Sequence, residues 1–204
     1  PSLKDIRTKI ASVKSTKRIM QAMKMIATVK YAKTQIMLNS FRPYFKAYKE
    51  IMLIVSKSTE DSTSKFFNNV VENKKSLLVV ISSDRGLCGS YNSGLFRLID
   101  KYEFSEQVIE KLFVGKKGQD YFKENGFGNE TFSVNEKNYK ILSESISNKI
   151  LLPFLNGEFN QIYVAYNKFV SSISQLPTLT KVLPIEFEDS EEIEKDLNIL
   201  IEPD

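Results

Sequence analysis

The sequence predicts an α/β protein in two parts: a long projecting N-terminal helix over residues 1–57, then a three-layer α/β domain over 75–204. Three observations carry this. Residues 2–57 contain no glycine and a single proline, Pro43, with apolar side chains recurring at three- and four-residue steps. From Lys75 the periodicity changes to short apolar runs separated by helical stretches. Between them lies a polar, helix-poor stretch centred on KSTEDSTSK, and residues 58–74 read as a linker.

The helix opens with Ser2 and, three residues on, Asp5, the form of a capping box with Asp in place of the usual Glu. Leu3, Ile6, Ile10 and Val13 begin an apolar stripe that continues less regularly through Ile19, Met20, Met23 and Ile26 or Ala27. Position 17, where strict heptads want an apolar residue, is Lys17, so the stripe drifts as a period near 3.6 requires. About 55 residues at 1.5 Å each make a rod of about 80 Å. A domain of this size cannot bury that length, so the stripe needs a partner helix or a sleeve of other subunits. Pro43 predicts a kink or a break near Arg42.

In the second part, Leu77–Ile81 is apolar on both faces, as a strand in a parallel sheet is. Residues 82–89, SSDRGLCG, form a turn leading into a helix from about Ser90 to Lys101. KLFVG at 111–115 is a second strand, and 118–125 a helix closed by Gly126. A short third strand falls at 130–134, an amphipathic helix at 139–155 and a further strand at 161–166. Residues 169–184 mix β-branched residues with Pro177 and read as an edge strand or hairpin. An acidic tail spans 186–204. Strands alternating with helices define the α/β class.

Composition narrows the chemistry. Hydrophobic residues at 42% and charged residues at 26% fit a folded chain, and no apolar run approaches the roughly 20 residues of a membrane span. The chain has no histidine, which removes His-based acid–base catalysis and the usual zinc sites. Cys88 is the one cysteine, so no internal disulfide forms. Residues 1–50 hold twelve Lys and Arg against Asp5 and Glu50, a net +10; the other 154 residues hold seventeen against twenty-three, a net −6. Such a split suits a basic helix meeting an acidic surface. A solvated helix face is the plainer account.

The SSDRGLCG turn is the most tempting site, since a glycine-bearing loop between strand and helix can cradle phosphate. Gly86 and Gly89 give only G-x-x-G, without the spacing of a nucleotide-binding loop. The structural reading is favoured: the two glycines permit a tight turn, and Asp84 and Arg85 pair with neighbours or a partner chain. Cys88 beside a helix N-terminus has no histidine base and reads as a small buried thiol. Glu191, Glu192 and Glu194 read as a solvated acidic face. No cofactor, metal or catalytic residue is expected. A phosphate- or nucleotide-binding α/β protein using the turn, and a basic-helix binder of nucleic acid or membrane, remain as alternatives.

Three stretches resemble a known family in order along the chain. SLKDIRTKIASVKSTKRIMQAMKMIATVKYAK at 2–33 resembles the N-terminal shaft helix of ATP synthase gamma subunits. SSDRGLCGSYN at 82–92 resembles that family's internal signature, and NKFVSSISQLPTLTKVLPI at 167–185 its later sheet region. The resemblance implies half of an antiparallel coiled coil and a Rossmann-like domain that has lost nucleotide binding. It implies a non-catalytic central-stalk rotor that couples proton flow to ATP synthesis. Its partners would be the alternating subunits of an alpha3beta3 ring, an epsilon-type stalk subunit and the membrane rotor ring, with no nucleic acid and membrane contact only through partners. It implies that Met20, Met23, Lys24, Ala27 and Lys30 face the catalytic collar, and that Asp84, Arg85, Gly86, Leu87, Cys88 and Gly89 lie near the stalk-foot subunits. It implies a peripheral place on an energy-coupling membrane, the cytoplasmic face of a bacterial inner membrane, with the matrix side of the mitochondrial inner membrane as the alternative. The family's long C-terminal helix is expected beyond Glu202-Pro203-Asp204 or from a second chain.

Overall fold

A computed structural model describes residues 2–58, 64–67, 75–104, 108–134 and 139–186. The chain divides into two units, Pro1–Ser58 and Thr59–Asp204. The polar stretch at 59–63, residues 68–74 and the acidic tail from 187, with Glu191, Glu192 and Glu194, lie outside the described residues.

The first unit is one helix, α1 (Leu3–Ser58), 56 residues long. At 1.5 Å per residue it spans about 84 Å. The capping box forms as its residues dictate. The Asp5 amide donates to Ser2 Oγ at 3.3 Å, and the Ser2 amide donates to Asp5 Oδ2 at 3.0 Å. The expected break near Arg42 does not occur: Pro43 lies inside the continuous helix. Proline removes one backbone donor, and the glycine-free turns on both sides keep their own bonds and carry the helix past it.

The second unit is a five-stranded sheet with the order β3-β2-β1-β4-β5. Its strands are β1 (Lys75–Ile81), β2 (Val108–Val114), β3 (Thr131–Phe132), β4 (Gln161–Phe169) and β5 (Gln175–Leu183). The first four are mutually parallel, and β5 runs antiparallel at the edge beside β4. The helices are α2 (Tyr91–Lys101), α3 (Lys116–Phe122) and α4 (Tyr139–Leu155). Alternation along β1 explains its unbroken apolar run. Leu77 and Val79 join Leu112, Val114, Phe154 and Ile162 on one face. Leu78 and Val80 join Leu95, Phe96, Ile99 and Phe113 on the other. Both faces are covered, as a parallel sheet requires. Each fully buried Leu or Phe contributes about 1.5–3 kcal/mol relative to exposure.

The reading of 118–125 as a helix closed by Gly126 is corrected. Helix α3 begins at Lys116 and ends after Phe122, where Lys123 takes the left-handed conformation with φ 54°. The Lys123 amide returns to the Gln119 carbonyl at 2.9 Å, so the helix closes three residues before Gly126. Pro177 falls on β5 opposite Asn167, at a sheet edge where its missing donor is tolerated.

Candidate functional site

On α1 the five residues singled out form one exposed band. Met20, Met23, Ala27 and Lys30 follow at steps of three and four, so they stack along one side of the helix, and Lys24 sits between Met20 and Ala27. Nineteen large apolar side chains from Leu3 to Ile51 are exposed on this helix. An apolar surface of that extent marks an interaction site. The polar half of the same surface is the basic excess noted in the sequence.

In the second unit the loop from Ser82 to Ser90 joins β1 to α2, at the end of the sheet where β1 and β2 finish together, Ile81 beside Val114. Ser82 ties this end shut. Its buried hydroxyl donates to the carbonyls of Val114 and Gly115 at 3.3 and 3.0 Å, and accepts the Gly118 amide at 2.9 Å. Asn92 braces the loop from α2. Its Oδ1 accepts the Ser83 amide at 3.1 Å, and its Nδ2 donates to Ser83 Oγ at 2.7 Å and to Cys88 Sγ at 3.3 Å. Asn167 on β4 donates to the Tyr91 carbonyl at 3.0 Å. The sequence reading missed Ser82, Asn92 and Asn167. Small polar residues flanking a glycine turn were the available signal.

Asp84 holds the loop to the neighbouring strand ends. Its Oδ1 accepts the Lys116 amide at 3.2 Å, while Oδ2 accepts the Ser133 hydroxyl at 2.7 Å and the Val134 amide at 3.2 Å. Partial burial works against the charged carboxylate, but these bonds and the Lys116 charge outweigh it and hold Asp84 below the ordinary value of 3.8. A depressed folded value means that this stabilisation is present above the ordinary value and fades as pH falls through the lowered one. Asp84→Asn is therefore expected to lower the protection factors of the Lys116 and Val134 amides, measured by hydrogen exchange against the intrinsic rate at the same pH, roughly tenfold at neutral pH, a loss of protection that the wild-type protein shows only in acid.

Two expectations for this loop are corrected. Cys88 is not a buried thiol but an exposed one. Leu87 and Gly89 on either side both have positive φ, 63° and 59°, which carries the loop out beyond the sheet and leaves the sulfur on its surface. Gly86 is not required by the turn. Its φ is ordinary, and a Cβ there would meet nothing within 4 Å. Of the two glycines, only Gly89 occupies a conformation that favours glycine. Leu87 is 96% exposed.

A basic helix faced with exposed apolar side chains, together with an α/β unit whose strand-to-helix loop is braced by its own Asn92 and Asp84, defines a protein that works through partner surfaces. The family model for ATP synthase matches residues 2–204. The chain belongs to the ATP synthase gamma chain family. It is 33% identical to the gamma chain of Roseobacter denitrificans over all of its own length and 74% of that relative's. It is 34% identical to that of Bdellovibrio bacteriovorus over 91% of its length and 64% of the relative's, and 35% identical to that of Pasteurella multocida over 93% and 68%. Thus the chain spans about two thirds to three quarters of the length of these relatives. Among solved structures it is similar to the central stalk and c-ring of the Tetrahymena thermophila mitochondrial ATP synthase, with 26% identity and a TM-score of 0.42 over 57% of this chain and 53% of that one. It is also similar to the rotor of the Euglena gracilis enzyme, with 18% identity and a TM-score of 0.42 over 80% and 69%. Family membership makes the chain part of a membrane-associated enzyme complex. Among the described residues no helix is long and apolar enough to cross a membrane.

Proposed function

We propose that this chain forms the central rotor of a proton-driven ATP synthase and transmits torque without catalysing the reaction itself. The observation that carries this reading is α1: a single 56-residue helix with nineteen large apolar residues between Leu3 and Ile51, and the twelve cations among them, exposed. Such a helix has contact surface to offer and no enclosed site. Within an alpha3beta3 ring its changing contacts would favour one conformation of each catalytic subunit in turn, a population shift imposed by differential contact. Met20, Met23, Lys24, Ala27 and Lys30 are the proposed collar contacts. Asp84 to Gly89 are the proposed contacts of the α/β unit with the epsilon-type subunit and its neighbours. In this reading Arg85, Gly86, Leu87, Cys88 and Gly89 supply the outward surface, and Asp84 acts from behind by holding the loop.

The proposed position is peripheral, on the cytoplasmic face of a bacterial inner membrane, with attachment through the membrane rotor ring. The non-catalytic role rests on two points. The chain has no histidine. At the α2 N-terminus, where a nucleotide phosphate would lie, the Tyr91 amide is already held by the Cys88 carbonyl at 3.3 Å. Proteoliposomes carrying the complete synthase are expected to make ATP under an imposed proton gradient, and those lacking this subunit to make none. Equal synthesis in both would contradict the proposal. ATP is expected to leave the melting temperature of the purified chain unchanged; a saturable rise would favour nucleotide binding at the turn.

A further inference from the structure

Between α1 and β1 the chain makes a short turn that is fastened to the α/β unit. Residues 56–69 hold only two apolar side chains, the neighbours Phe66 and Phe67, in an otherwise polar run. The chain turns there: the Phe67 amide donates to the Ser64 carbonyl at 3.0 Å. The Phe66 ring lies 6.4 Å, centroid to centroid, from the ring of Phe154, which is fully buried near the end of α4. Phe66 thereby joins the core face formed by Leu77, Leu112, Phe159 and Ile162. Beside it, Lys65 Nζ donates to the Leu155 carbonyl at 2.6 Å. Leu155 is the last residue of α4, where carbonyls lack partners within the helix and the helix dipole favours a cation.

The same turn holds the chain where it leaves the sheet. The Ile185 amide, two residues past β5, donates to the Phe66 carbonyl at 2.7 Å, and the Ile185 side chain packs against the same core face. Two passages of the chain, one arriving from α1 and one departing from β5, are thus fixed at one point. The first consequence is one of length. From Ser58, the end of α1, to Lys75, the start of β1, seventeen residue steps span at most about 60 Å. From Ser58 to Ser64 six steps span at most about 20 Å, whatever path residues 59–63 take. The second consequence is where a load falls. Without the turn, a pull from α1 reaches the N-terminal end of β1, the central strand, bonded to β2 on one side and β4 on the other. With it, the pull reaches an aromatic ring packed into the core and a charged bond to a helix end.

We infer that the Ser64–Phe67 turn is an anchor for force: it fastens the chain coming from α1 to the body of the α/β unit through Phe66 and Lys65, so that torque is delivered there and not to β1. The inference rests on the rotor reading, which supplies the torque. Phe66 and Lys65 are positioning residues in this account, because they set the length of the connection and touch no reacting group. A turn that served folding alone would be indifferent to the length of chain on either side of it. An anchor is not. Added chain between α1 and the turn introduces slack, whereas added chain between the turn and β1 lies outside the loaded path.

The test uses the full-length chain in the complete synthase, with about six Gly and Ser residues inserted after Asp61, ahead of the turn, or after Asn69, behind it. Proton pumping per ATP hydrolysed is measured in vesicles. The insertion after Asp61 doubles the connection and is expected to lower this ratio about threefold, as a −3/2 power of tether length gives. The insertion after Asn69 is expected to change it by less than about 1.3-fold. Phe66→Ala is expected to make the insertion after Asn69 cost about threefold as well, and Phe66→Leu to restore most of the ratio. Where Phe66→Ala prevents assembly, Lys65→Met takes its place in the cycle with the same expected direction. Equal losses from the two insertions, no loss from either, or an insertion after Asn69 that stays silent beside the substitution would overturn the anchor. In each of those cases a synthase that still loses ATP synthesis when this chain is left out keeps the rotor reading. Synthesis that persists without the chain removes that reading instead.

Discussion

Gly115→Ala is expected to lower the stability of the α/β unit by at least about 3 kcal/mol, or to prevent its folding outright. Gly115 has φ 94°, and a Cβ there would lie 2.2 Å from the Ser82 carbonyl oxygen and 2.6 Å from its carbon. These are backbone atoms, so no side chain can turn aside. The Ser82 amide is bonded to the Val114 carbonyl at 2.7 Å, and the Gly115 amide to the Phe132 carbonyl at 2.7 Å. Relief of the clash would therefore pull apart the ends of β1, β2 and β3 together. Urea titration of the variant against wild type measures the loss directly. A midpoint unchanged with the same slope would show that the chain end relaxes more easily than this packing allows.

Met23→Lys is expected to leave folding almost untouched and to impair coupling severely. Met23 is 51% exposed on α1, and substitutions at such positions commonly change stability by less than about 0.5 kcal/mol. The new ammonium would stand next to Lys24 and about two turns from Lys30, in the band proposed to meet the catalytic collar, where the basic excess of residues 1–50 suits an acidic surface. An added close ion pair of about 1.5 kcal/mol or more must break at each rotational step. Each 1.36 kcal/mol slows a step about tenfold. Proton pumping per ATP hydrolysed, followed by a pH-sensitive dye in vesicles, is expected to fall several-fold while circular dichroism stays unchanged. Normal pumping would remove Met23 from the moving contact.

What the sequence showed and what it hid follow from the range of the interactions involved. The capping box at Ser2 and Asp5 is local, and the structure contains it. The two-sided burial of Leu77–Ile81 was legible because an unbroken apolar run has to be covered twice. Of the kink or break expected at Pro43, the break does not occur, because a local rule was set against a helix with no glycine nearby. The exposure of Cys88 depends on the left-handed Leu87, and nothing in the letters of a leucine announces positive φ. Ser82 was also hidden, since its partners Val114, Gly115 and Gly118 lie more than thirty residues away. The exposure of the apolar residues along α1 was legible too, because a rod of about 55 residues is longer than a domain of this size can bury.

The most direct test of the rotor account is to fasten α1 to its surroundings. In a complete synthase carrying Met23→Cys and Cys88→Ser, position 23 is joined by a disulfide to a cysteine placed on the facing ring subunit, and ATP hydrolysis is measured before and after reduction. The account predicts that hydrolysis nearly stops while the bond is intact and recovers once it is reduced. Hydrolysis at the full rate with the bond demonstrably formed would contradict it.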